Sequence, residues 1–221
     1  MKTLLARYDA IQKRVMKAAE KAGHEVTLMV VSKAATPDQI KALLDHGVDC
    51  FGESRLQAIE SKWISTDLAS DEVALHFIGP LQSNKLPAIA THCHGLHSLS
   101  QVRHLALLSS LDKRPEDIFC QVNIGHEAQK SGVLPADLCA FLKQADAAEV
   151  HIKGLMCIPP QGQDSMPYFM QMKELAQGNG LYELNMGMSH DFESAIANGA
   201  TWVRVGSAIF TPQLTLDELT D

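Results

Sequence analysis

The apolar residues of this chain recur in short runs that have the length of β-strands. The runs fall at residues 28–31, 49–51, 75–78, 96–99, 118–124, 152–156, 182–184 and 202–205. Stretches of helical period separate them, and residues 1–23 form one more such stretch before the first run. The pattern predicts eight strands that alternate with helices, and an extra helix at the N-terminus.

Helix signals between the runs support this order. Residues 36–38 (Thr-Pro-Asp) offer an N-cap, a proline for the first helical position and an acidic residue for the first turn, and residues 134–137 open another helix similarly. Glycines suited to a left-handed helix end follow three helical stretches, at Gly47, at Gly178 or Gly180, and at Gly199.

The predicted strands are apolar almost throughout, as in LMVV at residues 28–31. Such strands are buried on both faces, which is typical of a parallel sheet covered by helices. Eight units of this kind favour an α/β fold, a closed (β/α)8 barrel of the TIM type with an extra N-terminal helix, and a single domain over residues 1–221. A doubly wound open sheet is the alternative, but the first strand leads into VSKAATP and not into a glycine-rich dinucleotide turn.

Composition narrows the classes of partner. The net charge of −7 over 221 residues disfavours nucleic acid, whose binding depends on clustered lysine and arginine. Residues 1–23 read as an amphipathic helix and not as a signal peptide, and no apolar run has the length of a membrane span. Five cysteines without CxxC spacing are typical of reduced thiols, so we expect a cytoplasmic protein with no membrane partner.

Polar residues follow the predicted strands at the edge where a βα-barrel carries its chemistry. Lys33 comes directly after the first strand. It is either a lysine that forms a Schiff base with a carbonyl compound or a solvated lysine at the end of a strand. The residues of the sequence alone leave both interpretations open.

The loops after the seventh and eighth strands, NMGMSHD at 185–191 and RVGSA at 204–208, have the composition of phosphate-binding loops. Gly187 and Gly206 allow close approach to an anion, and barrels frequently bind phosphate at these two loops. Each loop alone could equally be a glycine turn with a serine cap. Arg204, inside the last strand, needs an acceptor, either a ligand or a carboxylate such as Glu53.

Two other groups of residues carry less weight. The segment 130–132 (Lys-Ser-Gly) and the pair Met156 and Cys157 are explained by solvation and by packing. Four residues of one loop and strand lack the spacing of zinc ligands, so we expect no metal site: His92, Cys93, His94 and His97.

Motifs along the chain resemble those of the pyridoxal phosphate homeostasis protein family, also called the YggS/PROSC family. In order they are VSKAATPDQI, FGES, HFIGPLQSNK, KSG, GLMCIP and NMGMSHDFESAIANGATWVRVGSAIF, and they extend from near residue 30 to residue 210. The family resembles the N-terminal barrel domain of alanine racemase. The resemblance therefore implies a modified (β/α)8 barrel that holds pyridoxal 5′-phosphate (PLP) at the C-terminal ends of its strands.

The resemblance also implies roles for individual residues. Lys33 would hold PLP as a Schiff base. Met188 and Ser189 would bind the cofactor, Ser189 through the phosphate group, to which Gly206 and Ser207 would donate backbone N–H groups.

The same resemblance implies roles for two more residues. Arg204 would face the pyridine nitrogen, which would stay unprotonated because a guanidinium cannot serve as its acid–base partner. Ser54 stands where the family commonly has asparagine, so its shorter side chain would reach the cofactor only through water.

The resemblance implies a non-catalytic protein of PLP homeostasis. A racemase needs a second acid or base, and the three tyrosines are predicted outside the mouth loops, at positions 8, 168 and 182. We expect a monomer that binds PLP as a small-molecule cofactor, with transient contacts to PLP-dependent apoenzymes. The alternatives are a PLP-dependent amino-acid racemase or decarboxylase, and a Schiff-base sugar-phosphate aldolase.

Overall fold

A computed structural model describes residues 1–210 of the chain. Within them, eight parallel strands pair in chain order and close into a barrel through the pairing of the last strand with the first. The strands are β1 Thr27–Val31, β2 Cys50–Glu53, β3 Ala74–Phe77, β4 Gly95–Leu99, β5 Asp117–Val122, β6 Gly154–Cys157, β7 Glu183–Met188 and β8 Trp202–Val205. The predicted barrel is confirmed, and residues 211–221 of the predicted domain lie outside the described residues.

A helix precedes β1 and helices follow the strands around the outside of the barrel. They are α1 Lys2–Ala22, α2 Pro37–Asp45, α3 Leu56–Ile59, α4 Leu86–His92, α5 Val102–Ser109, α6 Leu138–Ala147, α7 Met166–Gly178, α8 Phe192–Ala197 and α9 Ser207–Phe210. The predicted start of α2 is confirmed, since Thr36 and Gln39 form a reciprocal capping box. Gly47 ends that segment with a φ of +91°, which favours glycine.

The largest boundary difference is at β7, which continues to Met188 beyond the predicted end at residue 184. The sequence there contains a polar asparagine and a glycine, which interrupt the apolar run. Asn185 is fully buried inside the barrel, where its side chain has hydrogen-bond partners. A polar residue can therefore continue this strand because its partners lie on other strands.

The barrel interior is a packed core and not a channel. Alternate strand residues face inward, and an inner apolar cluster is formed by Met29, Cys50, Phe119, Met156 and Trp202. The residues between them face the helices and join a larger outer core. Helix α1 covers the outside of the barrel near α8, where Arg14 forms a salt bridge of 2.8 Å with Glu193. The functional surface of this fold is therefore at the strand ends.

Candidate functional site at the barrel mouth

The carboxyl ends of β1 and β8 lie side by side at the mouth of the barrel. Val31, the last residue of β1, is so close to Gly206 that a Cβ on this glycine would lie 2.7 Å from the Val31 carbonyl oxygen. Lys33 follows in a single turn of 3-10 helix, Ser32–Ala34, and its side chain is exposed. The turn that carries Lys33 and the loop that carries Gly206 and Ser207 are therefore direct neighbours.

The loops after β7 and β8 meet through their serines. Ser207 Oγ donates a hydrogen bond to Ser189 Oγ at 2.9 Å, and the backbone N–H of Ala208 donates to the same oxygen at 3.4 Å. Helix α8 begins at Phe192 and helix α9 at Ser207, so the first N–H groups of both helices have no acceptor within their own helix. Hydroxyl and N–H groups in this arrangement suit an anionic phosphate group.

Gly187 and Met188 shape the loop after β7. Gly187 has a φ of +95°, and a Cβ there would lie 2.5 Å from the Cβ of Ala195, so α8 packs directly against it. Met188 is 37% exposed, and its N–H donates to the Asp191 carboxylate at 2.7 Å. Met188 therefore lies at the rim, next to the paired serines.

Arg204 is buried inside the barrel and bonds to uncharged acceptors. Its guanidinium donates to the Asn185 carbonyl oxygen at 2.8 Å, to the side-chain oxygen of the same residue, and to the Cys157 carbonyl oxygen at 2.9 Å. The alternative of an ion pair with Glu53 is wrong, because the Glu53 carboxylate accepts from Ser32 Oγ at 2.8 Å on the other side of β1. Burial lowers the pKa of the Arg204 guanidinium.

A chain of buried side chains continues from Arg204 into the barrel. Because Arg204 donates to the Asn185 oxygen, the Asn185 amide nitrogen donates to His97 Nδ1 at 2.6 Å. His97 then carries its proton on Nε2 and donates to His76 Nδ1 at 3.0 Å. Both imidazoles are fully buried, so Arg204 sets the tautomer of two neutral histidines.

Ser54 lies on the other side of β1 from the two serine loops. It directly follows β2, whose residue Gly52 pairs with Val31. A Cβ on Gly79 would lie 1.9 Å from the Ser54 carbonyl oxygen, so the loops after β2 and β3 are in close contact. The Ser54 side chain is half-buried, and β1 lies between β2 and β8 in the order of the sheet.

The weaker candidates have ordinary partners. Lys130 forms an ion pair with Glu127 and donates to the Pro159 carbonyl oxygen at 3.1 Å, while Met156 and Cys157 are buried.

Within residues 1–210, no group of three or more histidine, cysteine or acidic side chains could hold a metal ion. None of the helices described in residues 1–210 combines the length and the apolar character that a bilayer span requires.

Two of the three tyrosines lie away from the barrel mouth, and the third lies in a helix that begins there. Tyr8 lies in α1, and Tyr182 is 80% exposed just before β7. Tyr168 lies in the first turn of α7, which is the mouth end of that helix, and its hydroxyl donates to Gln163 at 2.5 Å. Among the three tyrosines, all within the described residues, Tyr168 is therefore the one at the mouth end of the barrel.

Sequence reasoning did not predict the buried network inside the barrel or the contact made by Lys62. His76, His97 and Asn185 are polar residues inside otherwise apolar strands, a signal that could have identified them as a buried network. Lys62, by contrast, lies in an unremarkable helical segment. Its Nζ lies 3.3 Å from Glu53 Oε1, beside the turn of Lys33, and no sequence spacing indicates this contact.

Comparison with known proteins places this geometry in a family. The model of the alanine racemase N-terminal domain matches residues 7–213. A pyridoxal phosphate homeostasis protein of Pseudomonas aeruginosa is 36% identical, over 95% of this chain and 96% of its own length. One from Aquifex aeolicus is 34% identical, over 92% of this chain and 96% of its own.

Solved structures give the same assignment. The structure of PipY from Synechococcus elongatus without PLP has a TM-score of 0.80 and 32% identity, and covers 92% of this chain and 98% of its own. The structure of PipY with PLP bound has a TM-score of 0.76 and 31% identity, and covers 94% of this chain and 99% of its own. The likeness extends over nearly the full length of both chains.

The buried histidines give the stability a predicted dependence on pH. Burial lowers the pKa of His76 to about 3 and that of His97 well below its usual value. The unfolded chain therefore binds more protons than the folded chain as the pH falls below about 6.5, so stability decreases from that pH towards pH 3. We expect the urea midpoint of unfolding to fall steadily between pH 6.5 and pH 4.

The same samples can be observed by nitrogen-15 NMR of the imidazole rings. Both buried rings should remain neutral, with the proton on Nε2, from pH 8 to pH 5. A ring that carries its proton on Nδ1, or one that becomes charged within this range, would contradict the direction of the hydrogen-bond chain from Arg204.

Proposed function

The chain belongs to the alanine racemase N-terminal domain family and, within it, to the pyridoxal phosphate homeostasis proteins, and we propose that it holds PLP at the barrel mouth as a Schiff base on Lys33. The observation that supports this most directly is the contact between the ends of β1 and β8. Across that contact, one amine and two loops rich in hydroxyl and N–H groups lie together.

The residues present fit the cofactor. A Cβ at Gly206 would clash with the Val31 carbonyl oxygen, so glycine lets the backbone of this loop lie directly beside the end of β1. Ser189, Ser207 and the N–H groups of residues 206 and 207 would hold the phosphate group, beside Met188 at the rim. When bound, PLP supplies an aldehyde that condenses reversibly with a primary amine, and Lys33 is the exposed amine adjacent to these loops.

Arg204 and Ser54 would have smaller roles. Arg204 would face the ring nitrogen of PLP; its guanidinium is always a donor and is fixed by carbonyl and amide oxygens, so it would not deliver a proton to that nitrogen. Ser54, on the Lys33 side of the mouth, would reach the cofactor only through water. Strong withdrawal of electrons by the ring is thereby disfavoured, which suits storage of PLP better than carbanion chemistry.

We assign to the protein a non-catalytic role in PLP homeostasis, as a cytoplasmic monomer that limits the free aldehyde and supplies PLP-dependent apoenzymes through transient contacts. The five cysteines are free, which is consistent with a reducing compartment. The hydroxyl of Tyr168, the tyrosine at the mouth end, is bonded to Gln163, so it is not free to act as a second acid or base.

The Schiff base is tested with Lys33→Ala. We expect this variant to lose the adduct that borohydride fixes on Lys33 in the parent protein, which peptide mapping detects as a labelled peptide. Since the Lys33 side chain is exposed, circular dichroism and the unfolding temperature should stay close to those of the parent. Lys41→Ala, in an exposed ion pair with Asp45, is the matched control.

Either of two results would contradict this assignment. One is a Lys33→Ala protein that still forms a stable yellow adduct of equal yield on another lysine. The other is global unfolding of the variant, because the proposal requires that the lysine contribute little to the core.

The phosphate loops are tested with Ser189→Ala. A hydrogen bond to a charged group contributes roughly 1.5–3 kcal/mol, so PLP affinity should fall about 10- to 100-fold. Binding of pyridoxal, which has the aldehyde but no phosphate, should be unchanged. Titrations followed by absorbance measure the dissociation constants of PLP and of pyridoxal. Equal weakening of the binding of both ligands would contradict a role of Ser189 in binding the phosphate group.

The enzymatic alternatives are separated by proton exchange. The protein loaded with PLP is incubated in deuterium oxide with alanine, lysine or ornithine, and α-proton exchange is followed by NMR. We expect no exchange above that of free PLP, because the hydroxyl of Tyr168, the tyrosine at the mouth end, is bonded to Gln163. Exchange that depends on Lys33 and is lost in Tyr168→Phe would favour a racemase.

A further inference from the structure

The turn that carries Lys33 is held by a buried cluster that we call the Lys62 clamp, formed by Lys62, Glu53 and Ser32. Lys62 Nζ donates to the Ser32 carbonyl oxygen at 2.9 Å, to the Lys33 carbonyl oxygen at 3.0 Å and to Glu53 Oε1 at 3.3 Å. An ammonium group has three donors, so all three are used. Ser32 Oγ completes the cluster with its bond of 2.8 Å to the same Glu53 oxygen.

The clamp is buried although it contains charges. Glu53 and Ser32 are fully buried, and the side chain of Lys62 is 17% exposed. A buried ion pair adds little net stability over an apolar pair of the same size, since both charges lose their hydration. Its location at one turn therefore argues for control of local conformation more than for general stability.

The two carbonyl groups bound by Lys62 belong to consecutive residues. When the carbonyls of Ser32 and Lys33 point to the same cation, the backbone dihedrals between them are fixed. Those dihedrals determine the direction in which the Cα–Cβ bond of Lys33 leaves the chain. The turn is also closed by the Ala35 N–H, which donates to the Ser32 carbonyl oxygen at 2.9 Å.

Lys62 reaches this position through an irregular helix. After α3 the chain continues as a π-helical segment, Glu60–Ile64, in which the Ser65 N–H donates to the Glu60 carbonyl oxygen at 2.9 Å. The extra residue in such a turn changes the direction of the side chains, and π turns occur frequently at functional sites. Trp63 anchors the segment, since its ring packs on Phe51 at 4.9 Å between centroids.

We propose that Lys62 is a positioning residue that orders the Lys33 turn and so presents the Lys33 amine to an aldehyde held by the neighbouring loops. This inference rests on the proposed function, and it assigns a task to a lysine that need not touch the cofactor. It separates two contributions to PLP binding, recognition of ring and phosphate on one side and formation of the Schiff base on the other. Lys62 acts only on the second.

The experiment compares two ligands on purified full-length protein. PLP has the aldehyde, and 4′-deoxypyridoxine 5′-phosphate has the same ring and phosphate without it. Lys62→Met keeps the linear side chain up to the position of Cε and removes the charge, Lys62→Arg keeps the charge, and Lys41→Met is the control on an exposed helix face. Dissociation constants are measured for both ligands, and amide hydrogen exchange of residues 32–35 is measured without ligand.

We expect Lys62→Met to weaken PLP binding about tenfold while binding of the deoxy analogue changes by less than about twofold, since misplacement of a reacting group affects only the bond-forming step. Amide exchange in the turn should become faster in Lys62→Met. Lys62→Arg should keep most of the PLP affinity of the parent protein and most of the protection of the turn from exchange. Glu53→Gln keeps the two carbonyl contacts of Lys62, so it should show the same pattern with a smaller amplitude. If Lys62→Met does not fold, Glu53→Gln provides the test in its place.

Equal weakening of both ligands, or unchanged exchange in the turn, would overturn the positioning role. Failure of the proposed function has a different signature. In that case the parent protein binds PLP no more tightly than the deoxy analogue, and borohydride fixes no adduct on Lys33. The exchange comparison still decides then whether Lys62 orders the turn.

Discussion

The pairing of β8 with β1 is the interaction on which the rest of this molecule depends. It closes the sheet, with Met29 opposite Arg204 and Val30 opposite Val205. It also brings the turn of Lys33 against the loop of Ser207, although 174 residues separate the two in the chain (207 minus 33). Gly206 permits this approach, because any side chain there would meet the Val31 carbonyl group. Closure of the barrel and assembly of the mouth are thus one event.

The interior adds an electrostatic constraint. Arg204 is a cation buried inside the barrel, and its hydrogen-bond acceptors within residues 1–210 are a carbonyl group of β6 and the two oxygens of one asparagine. Dipoles of this kind stabilise a guanidinium without neutralising its charge. The same dipoles fix the side chain, because rotation of Arg204 would remove the donor to both Asn185 oxygens in a dry interior.

The sequence predicted the strands well because parallel strands buried on both faces are continuous apolar runs. It predicted the end of β7 poorly, since Asn185 is buried through contacts with other strands that no local pattern contains. The suggestion of Glu53 as an acceptor for Arg204 was wrong for a related reason, because backbone carbonyl acceptors leave no mark in a sequence. The cofactor came from the resemblance of motifs, and Lys62 was missed because its position depends on one π-helical turn.

Exposure of the mouth bears on the choice between carrier and enzyme. Lys33 and Ser207 are exposed, and Met188 at the rim is 37% exposed, whereas the layer below them is fully packed. Catalysis on a bound cofactor generally needs a site that excludes water and competing reactions. A carrier has the opposite requirement, since its ligand must remain accessible to the next protein and to hydrolysis of the Schiff base. An exposed amine and an exposed hydroxyl above a packed barrel interior are compatible with that requirement.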